Sequence, residues 1–338
     1  AAGLVEIPRR RTEKTHQGGC QAVSELKSDS NLERLLAKGE FVVTGELGPP
    51  KSVDMGVLDE KIAALSGAVD AVNITDNQTA IVRISSIGTA FYIMARGLEP
   101  VVQMTCRDRN RLAIQADLLG AYLNGARNLL CLTGDHQSFG NHPQAKQVYD
   151  IDSMQLIWMV KQMRDEKTFQ CGEEIRNNKK AEIHEPRFFI GAAANPFADP
   201  LEWRVSRLEK KAAAGVDFVQ TQCVYDMDCF RRWIEDAVAR DLHKKVKILA
   251  GITPIRSLGM LRYMKSSVAG ITIPDSLIER FEKTEDVKEE GKRFALEQIE
   301  QFRQMEGVAG IHIMAIEAEK TVRGIVQDAG LLPRPQAA

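Results

Sequence analysis

Aromatic residues are scarce in this 338-residue sequence, at 6%. Crossing a bilayer as a helix takes roughly 18 consecutive apolar residues, and no such run exists, so no membrane span is expected. Neither charge sign is in excess: 45 Lys and Arg stand against 46 Asp and Glu, for a net charge of -1. A chain that holds nucleic acid by neutralising phosphates carries a basic surplus, and none is present. The six cysteines, Cys20, Cys106, Cys131, Cys171, Cys223 and Cys229, form no Cys-x-x-Cys pair. None stands near a histidine at zinc-finger spacing, so no metal or iron–sulfur ligand set is read. Scattered thiols in a chain of this length fit a reducing, cytoplasmic setting. Arg9-Arg10-Arg11 is followed by no apolar core, so no secretory signal is expected. No P-loop glycine motif appears, and no Gly-x-Gly-x-x-Gly follows an early strand.

What is present is a globular composition, 44% hydrophobic and 27% charged, enough for a sizeable core. Residues 1–30 lack a period and read as an N-terminal extension that either packs on a partner or stays mobile. From Asn31, which reads as a helix cap, apolar runs alternate with helix-period segments to the end of the chain. The runs are Phe41–Leu47, Ala71–Asp76, Pro100–Cys106, Asn128–Asp135, Arg187–Asn195, Phe218–Cys223, Lys247–Pro254 and Gly310–Glu317. Each is apolar on successive residues, as strands of a parallel sheet covered on both faces are. Helices are expected over Arg109–Leu123, Leu201–Ala214 and Met227–Ala239, with a long one over Ser276–Glu306. Gly97, Gly125 and Gly215 suit left-handed positions after helix ends. Eight strand–helix units predict a (βα)8 TIM barrel over residues 31–338, a single domain, ahead of a doubly wound open sheet. Gly270–Pro274 is the one further segment that could count as a strand.

Active sites of such barrels lie at the C-terminal ends of the strands. The polar residues that end the apolar runs are Glu46, Thr75 with Asp76, Thr105, Asp135, Asn195, Gln222 and Glu317. Carboxylates mixed with neutral hydrogen-bonding groups suit a polar heterocycle better than a phosphate cage. Glu46 is the sharpest candidate: a carboxylate desolvated at a strand end becomes a usable general acid. The bland alternative is a structural ion pair. Asp135 reads as a ligand contact or a loop cap, with Gly134 permitting close approach of a flat ligand. The Gln222 amide both donates and accepts. Lys210 and Lys211 read as a ligand contact or as surface cations at a helix end.

Taken in order, several motifs resemble the methylenetetrahydrofolate reductase family. They are Glu46-Leu47-Gly48-Pro49-Pro50, Asn73-Ile74-Thr75, Gln103-Met104-Thr105-Cys106 and Leu132-Thr133-Gly134-Asp135. Lys210-Lys211 before Ala214-Gly215, Thr221-Gln222 and Gly251-Ile252-Thr253-Pro254 continue the series. The resemblance implies a flavoprotein of one-carbon metabolism that reduces 5,10-methylenetetrahydrofolate to 5-methyltetrahydrofolate. The cofactor it implies is FAD, with FMN as the alternative. It makes Glu46 the general acid that protonates the folate nitrogen as the methylene bridge opens, before hydride arrives from the reduced flavin. Thr75, Gln103, Thr133, Gly134, Asp135, Asn195 and Lys211 fall at cofactor-binding positions, and Asp135 and Gln222 at substrate-binding ones.

The departures from the pattern bear on the electron donor. Leu47 and Gly48 stand where some members carry two aromatics, Gln103 for a histidine, and Thr133 for an arginine. Met260 and Met264 stand for a glutamine and a phenylalanine that contact folate and nicotinamide, and Glu317-Ala318 for an Asn-Arg pair. An iron–sulfur electron-donor subunit is therefore expected in place of direct NAD(P)H use, and with it an oligomer or hetero-complex. The alternative of another class is a folate-binding methyltransferase barrel without redox chemistry; a non-catalytic scaffold subunit is the third reading.

Overall fold

A computed structural model describes residues 26–268, 270–315 and 317–336. Eight strands pair in sequence order and close on themselves. They are β1 (Val42–Leu47), β2 (Ala71–Ile74), β3 (Pro100–Thr105), β4 (Asn128–Leu132), β5 (Phe189–Ala194), β6 (Phe218–Cys223), β7 (Lys247–Ile252) and β8 (Val308–Ile313). All neighbours are parallel, and β1 pairs with β8 through Val42–Gly310 to Gly45–Ile313. This is the expected TIM barrel.

The helices are α1 (Asn31–Ala37), α2 (Met55–Leu65), α3 (Ser86–Met94), α4 (Arg111–Leu123), α5 (Ser153–Lys161) and α6 (Arg204–Ala214). They continue with α7 (Met227–Ala239), α8 (Leu242–Lys245), α9 (Leu258–Ser267), α10 (Asp275–Glu282), α11 (Val287–Gln304) and α12 (Val322–Asp328). Gly215 ends α6 at φ 108°, its N–H shared between the carbonyls of Lys211 and Ala212. Only a residue at ease with positive φ stops a helix this way. The long helix expected over Ser276–Glu306 is two. The chain leaves α10 after Glu282, and Asp286 restarts it as α11 by accepting from the N–H groups of Lys288 and Glu289. Gly270–Pro274 is not a strand.

Residues 1–25 of the expected extension lie outside the described residues. The rest of it is part of the barrel. The N–H groups of Lys27, Ser28 and Asp29 all donate to the Glu33 carboxylate. Ser30 rather than Asn31 caps α1, accepting from Glu33 N–H. The Glu99 carboxylate accepts from the backbone of Asn31 and Leu32 at 2.7 and 2.9 Å and pins that end of α1. So anchored, α1 drives Leu32, Leu35 and Leu36 into a cluster with Val42, Ala71, Val101, Leu130, Phe189, Phe218 and Leu249, one residue from each of β1 to β7. The N-terminal end of the barrel is thereby sealed with apolar side chains. Among the described residues no helix is long and apolar enough to cross a membrane.

Candidate active site

Above the apolar plug the barrel interior turns polar. Side chains alternate along a strand, so residues two apart share a face. Thr44 and Glu46 of β1, Asn73 of β2, Gln103 of β3, Gln220 of β6 and His312 of β8 form this layer. The Asn73 amide donates to Gln220 Oε1 at 2.5 Å, and Gln220 Nε2 returns a bond to Asn73 Oδ1 at 3.0 Å. Gln220 Nε2 also reaches Thr44 Oγ1 at 3.2 Å. Thr44 Oγ1 lies 2.9 Å from His312 Nδ1, and His312 Nε2 lies 3.7 Å from Glu46 Oε2. A chain of polar contacts thus crosses the barrel and ends at Glu46.

Over this layer opens a cavity of about 360 Å³. Five expected site residues line it: Glu46, Gln103, Asn195, Lys211 and Gln222. Gln222 owes its place to a bulge in β6, where Gln220 to Cys223 spans three residues against two from Leu249 to Gly251. A bulge re-aims side chains at a strand end. Gln222 Oε1 accepts from Cys223 N–H at 3.1 Å. Asn195 is partly spent on structure, donating to Gly270 O at 3.0 Å and accepting from Phe197 N–H at 2.9 Å.

Four expected residues stand apart from the cavity lining. β4 ends at Leu132, and Thr133, Gly134 and Asp135 form the loop directly beyond it, with Thr133 and Asp135 exposed. Gly134 sits at φ 91°, and a Cβ there would lie 3.0 Å from Thr105 Cβ and 3.2 Å from Arg107 Cβ. Thr75 is buried just past β2 with its hydroxyl lacking any hydrogen-bond partner. Of the other strand-end groups, Asp76 is structural: it accepts from Thr105 N–H and Oγ1 and from Arg109.

The cavity wall formed by α6 carries residues that the strand-end filter missed. Arg204, Arg207 and Lys211 fall at intervals of three and four, one helical face, and all three line the cavity. None has a carboxylate within ion-pair distance among the described residues. Arg204 Nε is enclosed without a partner, while its guanidinium donates to Asp199 O. Lys211 donates to Ala193 O. Burial, and next the charge of Arg207, push the Lys211 ammonium down to about 8. A helical period of cations facing an apolar strand end is the sequence signal for this wall. His312, Asn73 and Gln220 carry a different one, the two-residue alternation with Thr44–Glu46 and Gln222.

Met264 is buried and accepts from the Tyr225 hydroxyl at 3.5 Å, with Met260 packed on the same cluster. Leu47 is fully buried in the barrel wall. Among the described residues no cluster of three His, Cys, Asp or Glu is arranged to hold a metal ion.

The family model for methylenetetrahydrofolate reductase matches residues 31–330. "Methylenetetrahydrofolate reductase 1" of Schizosaccharomyces pombe is 27% identical over 244 residues, 70% of this chain and 36% of that protein. A probable NADPH-type methylenetetrahydrofolate reductase of Caenorhabditis elegans is 24% identical over 318 residues, covering 89% of this chain and 44% of its own length. The chain therefore spans about two fifths of the length of these relatives. In fold it resembles a Clostridium thermocellum protein described as binding two copies of 5-methyl-5,6,7,8-tetrahydrofolic acid. The TM-score is 0.60 at 16% identity, over 88% of this chain and 99% of that one. The chain belongs to the methylenetetrahydrofolate reductase family.

Proposed function

We propose that this family member reduces 5,10-methylenetetrahydrofolate to 5-methyltetrahydrofolate at the mouth of its barrel, with a flavin as cofactor. The observation that carries the reading is the pairing of two unlike walls in one cavity. On one side stands Glu46 with His312 behind it; on the other stand Arg204, Arg207 and Lys211 without carboxylate partners.

The residues present fit a flavin. Three cations without carboxylate partners among the described residues match a diphosphate, and the unpartnered Nε of Arg204, on the cavity wall, is a group that a ligand would satisfy. FAD is the form proposed, since FMN offers one phosphate to three cations. Gln103 and Asn195 would hold the ring from the cavity, and Thr133, Gly134 and Asp135 its rim. When bound, the flavin supplies the hydride.

The chain's own residues do the rest. Glu46 holds the proton that the folate nitrogen takes as the methylene bridge opens. The His312 ring stands behind Glu46, its Nδ1 2.9 Å from Thr44 Oγ1 and its Nε2 3.7 Å from Glu46 Oε2. Gln222, whose Nε2 has no acceptor among the described residues, presents a donor to the pterin edge, and Asp135 adds a carboxylate from the loop beyond β4. The thioethers of Met260 and Met264 offer no ring on which a nicotinamide could stack, which supports electron delivery by an iron–sulfur partner subunit. Leu112 and Leu123, exposed on α4, supply apolar surface of the kind a partner covers. The five described cysteines are all free thiols, in keeping with the cytoplasm.

The test is a half-reaction. The protein is loaded with FAD, photoreduced without oxygen and mixed with 5,10-methylenetetrahydrofolate. Reoxidation of the flavin with formation of 5-methyltetrahydrofolate is expected. Failure to bind flavin, or methyl transfer without it, would overturn the reading.

A further inference from the structure

Glu46 also lines a second, smaller recess of about 40 Å³ on the side of the barrel facing α2. That recess shares Gly48, Lys61, Arg83, Glu317 and Glu319 with a wider groove of about 530 Å³. The groove runs outward between the loops that follow β1, β2 and β8. It carries three cations, and two of them are neutralised. Lys61 Nζ is 2.6 Å from Glu319 Oε1, and Lys320 Nζ is 3.2 Å from Glu60 Oε2.

Arg83 is the exception. It is half-buried, its N–H donates to Asn77 Oδ1, and one guanidinium nitrogen donates to Pro49 O at 3.0 Å. Its Nε is enclosed and has no partner, and among the described residues Arg83 forms no ion pair with a carboxylate. A guanidinium fixed by a backbone carbonyl, with donors left over, presents a fork that a carboxylate fits with two hydrogen bonds. The remaining charge in the groove, the exposed Glu317, has no cation partner among the described residues either.

We propose that Arg83 receives the carboxylate of an acylated glutamate at the far end of the substrate, the pterin end lying at Glu46. The inference rests on the folate reading of the site and extends it: Arg83, rather than a residue of α9 or of the loop after β8, takes the substrate's acidic tail. Glu317-Ala318 offers no cation of its own for that purpose, and Arg83 comes to the same groove from the loop after β2.

Equilibrium binding to the FAD-loaded chain tests it. The probes are 5-methyltetrahydrofolate, 6-methyltetrahydropterin (which lacks the tail) and N-(4-aminobenzoyl)-L-glutamate (which is the tail alone). Loss of a charge-assisted, two-bond contact is expected to weaken the first and third about tenfold or more in Arg83→Gln and to leave the second unchanged. Arg83→Lys, which keeps the charge but not the fork, is expected to fall between and serves if Arg83→Gln does not fold. Unchanged affinity for 5-methyltetrahydrofolate in folded Arg83→Gln, or an equal loss for all three probes, overturns the assignment of Arg83 alone. Wild-type protein that binds none of the three overturns the folate reading and this inference with it.

Discussion

Asn73 and Gln220 face each other across the barrel interior and exchange side-chain amide hydrogen bonds at 2.5 and 3.0 Å. They come from β2 and β6, four strands apart in the ring, and both are buried. Each satisfies the other where no water need be supposed, and the second N–H of Gln220 fixes Thr44 and, through it, His312.

A reciprocal pair of this kind costs little when both members are removed and much when one is. Gln220→Leu alone leaves the Asn73 amide without its partner and should destabilise the fold by about 1–3 kcal/mol. Asn73→Leu with Gln220→Leu should recover most of that loss. Urea unfolding of the two single variants and the double variant closes the cycle. Additive losses would show that the pair is not coupled.

Glu46→Gln keeps the shape and hydrogen bonding of the side chain and removes its proton. Flavin should stay bound and reducible, while reduction of methylenetetrahydrofolate falls by about 10²-fold or more, the scale of general acids. Near-normal turnover in the folate half-reaction would remove Glu46 from the chemistry.

The charge on Lys211 should make binding of the proposed flavin depend on pH. A lysine is cationic below its pKa and neutral above it, and burial has lowered this one to about 8. Affinity for the flavin diphosphate should therefore weaken as pH rises from 7 to 9, while an ordinary lysine near 10.4 would give no change in that window. In Lys211→Met the affinity should be lower at pH 7 and flat across the same range. A pH dependence that survives in Lys211→Met would place its origin elsewhere.

The donor prediction follows from Met260 and Met264. The isolated, flavin-loaded chain should be reduced slowly by NADH and readily by a reduced viologen or by a co-purifying iron–sulfur protein. Stopped-flow mixing with NADH decides it. Flavin bleaching within the enzyme's turnover time would establish direct use.

The barrel is legible in the sequence because its strands are covered on both faces. Continuous apolar runs such as Phe218–Cys223 then stand out from the helices between them. Their C-terminal ends are less legible. The run read as Asn128–Asp135 stops pairing at Leu132, because Gly134 turns at positive φ and the Tyr149 hydroxyl holds the carbonyls of Gly134 and Asp135 out of the ladder. The strand-end filter therefore found Glu46 and Gln222 in the cavity but took Asp76, an Arg109 partner, along with them. It passed over His312 and Asn73, which lie one pleat deeper. Arg204 and Arg207 escaped for another reason: they project from a helix, and only the seating of α6 between α5 and α7 turns that face toward the mouth.

The helix that seals the bottom of the barrel makes this a vessel with a single door. A solvent molecule, a substrate and a product all pass the same rim, and nothing can be pushed out from behind. If two reactants must each meet the same face of one cofactor, they have to take turns, and the departure of the first becomes part of the clock for the second. Leu32, Leu35 and Leu36 close the end of the barrel opposite Glu46, so the site they never touch is open from its own side alone.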